Sequence, residues 1–183
     1  MHQKNESNKT IDQYDAIFNT AQQLFNSKNS DYGPSWTIMR PQSFTDQIYI
    51  KAARIRSIEE KQTQLVEDDI QDDYFGLINY CVMALIQIRR ENHELIEQAQ
   101  EVLDRYAEEK EAVRALMIKK NHDYGEAWRD MRVTSITDLI LMKLLRIKSI
   151  ENNAGQVTVS ENIDAGFRDI INYAIFAMIL LNE

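Results

Sequence analysis

The sequence predicts an all-α fold: a helical bundle made of two tandem three-helix repeats related by a pseudo-two-fold axis. Three observations carry this. The segment Lys28-Asn29-Ser30-Asp31-Tyr32-Gly33-Pro34-Ser35-Trp36 returns as Lys120-Asn121-His122-Asp123-Tyr124-Gly125-Glu126-Ala127-Trp128, an offset of 92 positions. Self-similarity at a fixed spacing marks a repeated structural unit. Apolar residues recur three and four positions apart through most of the chain, the period of a helix with one buried face. Only two prolines occur, Pro34 and Pro41, and both fall between helical patterns.

The repeat continues without a gap through Met39/Met131, Arg40/Arg132, Ser43/Ser135, Asp46/Asp138, Lys51/Lys143, Arg54/Arg146 and Glu59/Glu151. Ile78-Asn79-Tyr80 then matches Ile171-Asn172-Tyr173 at an offset of 93, so one residue was gained or lost in a loop. Residues 1–11 are polar and are expected to form a disordered tail. The first repeat is placed at 12–93 and the second at 94–183, the two packing as one unit. The first helix is expected from Asp12 to Lys28. Its counterpart lies within Leu95 to Lys120, where Leu95, Ala99, Val102, Leu103, Tyr106, Val113, Leu116 and Met117 mark one face. The charged stretch after Glu91 is helical by propensity and is expected to join the copies. Asp-Tyr-Gly stops the helix, because glycine readily takes the left-handed conformation there. The second helix starts near Ser43 or Ser135, read as caps. In the second copy it carries Ile136, Leu139, Ile140, Leu144 and Ile147 and is expected to be central. The third helix runs from about Val66 and from about Ser160, with the stripe Ile163, Phe167, Ile170, Ile171, Ala174, Ile175, Met178 and Ile179. Val157-Thr158-Val159 is the one alternating β-branched stretch, too short to carry a sheet.

Composition narrows the function classes. Hydrophobic residues are 44% and charged residues 27% of the 183, ordinary for a folded domain. The net charge of −8 disfavours a nucleic-acid backbone as the main ligand, while a small anion needs only a local basic pocket. The single cysteine, Cys81, lies in an apolar run and reads as a buried, inert thiol. No apolar run is long enough to span a membrane, and the polar N-terminus lacks the core of a signal peptide. A cytoplasmic location is therefore expected.

Candidate chemistry comes from the residues shared by the copies. Asp123, Tyr124, Gly125 and Trp128 read either as a nucleotide edge, with an aromatic platform beside an acid and backbone amides, or as a helix stop whose tryptophan plugs the core. Lys143 and Arg146, matched by Lys51 and Arg54, are three apart and share one helix face. On an otherwise apolar helix they call for phosphate or for carboxylate partners, the latter from Asp123, Asp138 or Asp164. Glu161 and Asp164 are neighbours on one face of the third helix. Asp164 invites Lys143 and Arg146 or Mg²⁺, while Glu161 also fits helix-dipole compensation. Asp169 lies beyond the first turn. In continuous register the first copy has Gln71 opposite Asp164 and Gly76 opposite Asp169, with Asp72 and Asp73 nearby. The second copy is thus expected to hold the fuller site and the first to be structural. His122 faces Ser30 in the first copy and reads as a surface variant.

Lys-x-x-Asp-Tyr-Gly-x-x-Trp, followed by Lys-x-x-Arg-Ile and then Asp-x-x-x-x-Asp-x-x-x-Tyr, resembles the nucleotide-modification-associated domain 1 family, once per copy over nearly the whole chain. The resemblance implies an all-helical domain that handles nucleotides or their bases. By position it marks Asp123, Tyr124, Gly125, Trp128, Lys143, Arg146, Asp164, Asp169 and Tyr173. On that basis Lys143 and Arg146 are expected to bind phosphate and Trp128 and Tyr124 to contact the base. Asp164 and Asp169 are the candidate catalytic acids, holding a cation or positioning water. The pattern is also reminiscent of the all-helical nucleoside triphosphate pyrophosphohydrolases of the MazG type. Glu161-x-x-Asp164 mimics their second Mg²⁺ motif, but Lys143 and Arg146 stand where the acids of the first would be. A homodimer and a non-enzymatic helical scaffold are further expectations.

Overall fold

The computed structural model describes residues 2–63, 65, 67, 69–90, 92, 94–153 and 162–183, with the backbone alone for 2–8. Among the described residues there is no strand. The helices are α1 (His2–Tyr32), α2 (Pro41–Lys61), α3 (Ile70–Ile88), α4 (Ala99–Tyr124), α5 (Val133–Asn152) and α6 (Ile163–Leu181). One 3-10 turn, Ser35–Ile38, follows α1, and another, Ala127–Asp130, follows α4.

The helix stops fall where glycine permits them. Gly33 and Gly125 take φ of 65° and 60°, and their N–H groups donate back to the carbonyls of Asn29 and Asn121 at 2.9 and 3.0 Å. The starts differ from expectation. Ser43 and Ser135 do not cap; α2 begins at Pro41, whose fixed φ suits a first helical position, and α5 at Val133. Asp69 and Asn162 cap α3 and α6 by accepting from the N–H groups of Gln71 and Asp164. The expected starts Val66 and Ser160, and the stretch Val157–Val159, lie outside the described residues.

Two boundaries are corrected. Helix α1 begins at His2, not near Asp12, so residues expected as a disordered tail are helical. Thr10 is fully buried, donates to Glu126 at 2.8 Å and accepts from Arg129 at 2.6 Å. Docking of this turn onto the loop after α4 anchors a segment with no apolar pattern of its own. In the joint between the copies, helix resumes only at Ala99, and Leu95 is exposed rather than on the buried face.

Helices α3 and α6 form the centre. Each packs on the other and on the preceding helix of its own copy, and α2 packs on α5. The second helix is less central than expected: α5 turns Leu145 and Met142 to solvent. The copies are locked by bonds that occur in matched pairs. Tyr14 donates to Asn172 Oδ1, and its counterpart Tyr106 donates to Asn79 Oδ1, both at 2.7 Å and buried. Thr45 donates to Glu151 at 2.9 Å, and Thr137 to Glu59 at 2.8 Å. Lys148 pairs with Asp46, and Arg56 with Asp138. Every one of these bonds runs from one copy to the other, which is what a pseudo-two-fold axis requires. Burial raises the carboxyls of Glu59 and Glu151 above the usual range, with the threonine bonds opposing. Cys81 is fully buried, and burial pushes its thiol well up, as an inert core cysteine requires.

Candidate functional site

The symmetry ends at the motif residues. In the first copy they surround a cavity of about 560 Å³, within the range of small-molecule sites. The end of α1 supplies Leu24, Phe25, Lys28, Asn29 and Tyr32, and the turn after it Gly33, Ser35 and Trp36. Helix α2 supplies Lys51 and Arg54, and α3 Asp72, Asp73, Gly76, Asn79, Tyr80 and Met83. In the second copy Lys143 and Arg146 line about 110 Å³ between α5 and the first turn of α6, and Arg146 also borders an open hollow of about 500 Å³ with Arg56, Asp138, Leu141, Met142, Leu145 and Ser149, which has no aromatic side chain. The cavity lined by the aromatic and cationic motif residues therefore belongs to the first copy, which the sequence led us to expect as structural.

Two exchanges explain the difference. The first moves an acid by one helical turn. At the offset of 93, Asp73 falls opposite Gly166, and Gly76 falls opposite Asp169. Asp73 is buried and holds both Arg54 and Lys51, the latter at 3.5 Å. The Lys51 stem crosses α3 at Gly76, where a Cβ would sit 2.9 Å from its Nζ. In the second copy Asp169 takes that crossing point. It is 3.0 Å from Lys143 and 2.5 Å from Lys120, so Lys120 is drawn inward. Its counterpart Lys28 is exposed at the cavity rim and has no ion-pair partner among the described residues.

The second exchange concerns the rings. Met83 and Phe25 of the first copy correspond to Phe176 and Met117 of the second. Phe176 lies flat on Trp128, with centroids 4.2 Å apart and planes 4° apart, and the Arg129 guanidinium stands over the indole at 4.5 Å. Trp128 is 8% exposed. Trp36 instead meets Phe25 and Phe44 at steep angles, 64° and 82°, and lines the cavity. The preceding backbone differs too. Glu126 takes φ of 59°, an unfavourable value for a side-chain-bearing residue, held by its bonds to Thr10 and Arg129. Pro34 has φ of −82° in the same place.

Of the sequence-chosen residues of the second copy, the structure brings Lys143 and Asp169 together. Asp123 and Tyr124 are exposed, with Asp123 3.1 Å from His122 Nδ1. Gly125 makes the turn, and Trp128 plugs the core. Asp169, rather than Asp123, Asp138 or Asp164, meets Lys143; Arg146 is exposed yet not unpartnered. Asp164 stands 3.8 Å from Arg168, and Tyr173 is half-buried against the core. Glu161, proposed with Asp164 for a metal, lies outside the described residues, and among the described residues no three His, Cys, Asp or Glu side chains cluster for an ion. The reading of the sequence missed Lys28, Asn29 and Met83. The signal for the first two was present, because the repeated segment begins at Lys-Asn. Asn29 Oδ1 and Trp36 Nε1 are buried with no hydrogen-bond partner among the described residues.

Fold and cavity together define a tandem-repeat all-helical protein with a pocket lined by aromatic and cationic groups in its first copy. The family model described as nucleotide modification associated domain 1 matches residues 28–88 and again 120–181, and the chain belongs to that family. No curated protein and no solved structure matches the chain. Among the described residues no helix is long and apolar enough to cross a membrane.

Proposed function

We propose that the first-copy cavity binds a nucleotide, its phosphate toward Lys28, Lys51 and Arg54 and its base toward Trp36 and Tyr80. The observation that carries this reading is the convergence of three cations and two aromatic side chains of the repeated motif on one cavity of about 560 Å³. Three cations face two carboxylates, Asp72 and Asp73, in a chain whose net charge is −8. Phosphate is the anion that such a corner favours, and guanidinium binds it through paired N–H donors. Family membership points to the same ligand class. The reading is of binding rather than turnover, because Asp73 and Asp169 each already face two cations.

A thermal-shift panel of nucleoside mono-, di- and triphosphates, each with and without Mg²⁺, tests it. A ligand at a hundred times its Kd adds about 2.7 kcal/mol, a rise of about 5–10 °C for a chain of this size. Lys28→Ala should shrink that rise, and Lys120→Ala, at the matching place in the second copy, should leave it intact. No rise with any nucleotide overturns the proposal. Mg²⁺-dependent phosphate release would replace it with the hydrolase reading.

A further inference from the structure

We propose that Phe176 is a built-in occupant of the second copy's ring site, and that Met83 at the matching place keeps the first site open to a ligand's planar ring. This rests on the nucleotide reading above and adds what selects the ligand: a ring, and not phosphate alone.

Phe25 and Met83 of the first copy stand where the second has Met117 and Phe176, so the phenylalanine and the methionine exchange helices between the copies. On the third helix, phenylalanine reaches the indole face, and Phe176 settles flat on Trp128 at 4.2 Å. On the first helix, Phe25 meets Trp36 at 64° with centroids 6.1 Å apart, an arrangement that does not cover the indole as a stack does. A parallel ring about 4 Å away is also how a nucleobase sits on an aromatic platform. The second copy therefore supplies from its own chain the contact that a ligand would supply in the first. Met83 lines the open cavity as a flexible, polarizable wall able to adapt to an inserted ring. Asn29 Oδ1, buried without a hydrogen-bond partner among the described residues, adds an acceptor in the same wall.

Calorimetric titration of the full chain with nucleoside 5′-monophosphates and with ribose 5-phosphate tests the inference. At least one nucleotide should bind about tenfold or more tightly than the base-free sugar phosphate. Met83→Phe should remove that advantage, bringing nucleotide affinity down to that of ribose 5-phosphate, and Met83→Leu should keep it. Equal affinity of the wild-type chain for nucleotide and ribose 5-phosphate overturns the inference and leaves an anion site standing. Absence of binding by either removes the nucleotide reading itself, and this inference with it. The wild-type comparison decides the matter even if Met83→Phe does not fold.

Discussion

Trp36 and Trp128 stand at matching places in two copies of one motif, yet one lines a cavity and the other is packed between a phenylalanine and an arginine. A few tens of residues away, the bonds across the axis are duplicated almost atom for atom: Tyr14 to Asn172 and Tyr106 to Asn79, Thr45 to Glu151 and Thr137 to Glu59. The seam between the copies has kept its symmetry where the motif pockets have lost theirs. A seam bond serves both halves at once, so changing it disturbs the whole core. A pocket serves one copy and tolerates a shifted acid or an exchanged ring.

The largest expected effect lies in the asymmetric part. Asp73→Ala leaves Lys51 and Arg54 without their shared, buried carboxylate. Breaking a fully buried pair costs about 3–5 kcal/mol; here each cation retains about a quarter of its exposure, so about 2–3 kcal/mol is expected from urea unfolding. Asp169→Ala should cost somewhat less, about 1–2 kcal/mol, because Lys120 is 44% exposed and can return to water, while Lys143, 19% exposed, still loses its carboxylate. Equal losses would contradict the difference drawn between the two pockets.

An intermediate effect tests the symmetric part. Tyr14→Phe and Tyr106→Phe each leave a buried asparagine oxygen short of a donor, worth about 1–2 kcal/mol. The two variants should shift the denaturation midpoint alike. A clear inequality would show that the seam is symmetric in geometry only.

The smallest effect depends on pH. Burial raises the carboxyls of Glu59 and Glu151, so the folded state favours their protonated forms. Their contribution is most favourable below the ordinary carboxylate range and is lost as pH rises through the raised folded values. At neutral pH the ionised pair therefore weakens the seam. Glu59→Gln combined with Glu151→Gln should raise Tm by a few degrees at pH 7, and the gain should fade toward about pH 4. A gain that grows on acidification would reverse the sign of this argument.

The helices and the repeat were legible because their signals are local: apolar spacing, two helix-stopping glycines and a segment written twice. The pseudo-two-fold followed from two copies that each present an apolar face. The location of the open pocket was not legible. Position-by-position comparison counted the acid of α3 as lost, whereas Asp73 lies one helical turn from Gly76 on the same face and reaches the same kind of cation. Neither Phe176 nor Met83 stood out in the sequence, and only the stack of Phe176 on Trp128, set against Met83 in the lining of the first cavity, shows that one fills a space the other leaves open. The first turns of α1 carry no helical apolar stripe, and Thr10 is buried only because Arg129 and Glu126 come to it from the far copy.

The crossed bonds of Tyr14 and Tyr106 bear on what holds the two halves together. Each copy completes its polar pairing and much of its apolar burial on the other, through α3 against α6 and α2 against α5. The link between Ile88 and Ala99 is held to the first copy where Arg90 donates to the Thr37 carbonyl and the Ile96 N–H to Thr37 Oγ1, and as a tether it joins the halves. It sets the effective concentration at which one half meets the other, while the recognition itself lies in the seam. The repeat is thus a unit of sequence and not a unit of folding. Were the chain cut at the tether, each fragment would expose the face that the other is built to cover, and their association would become a matter of concentration.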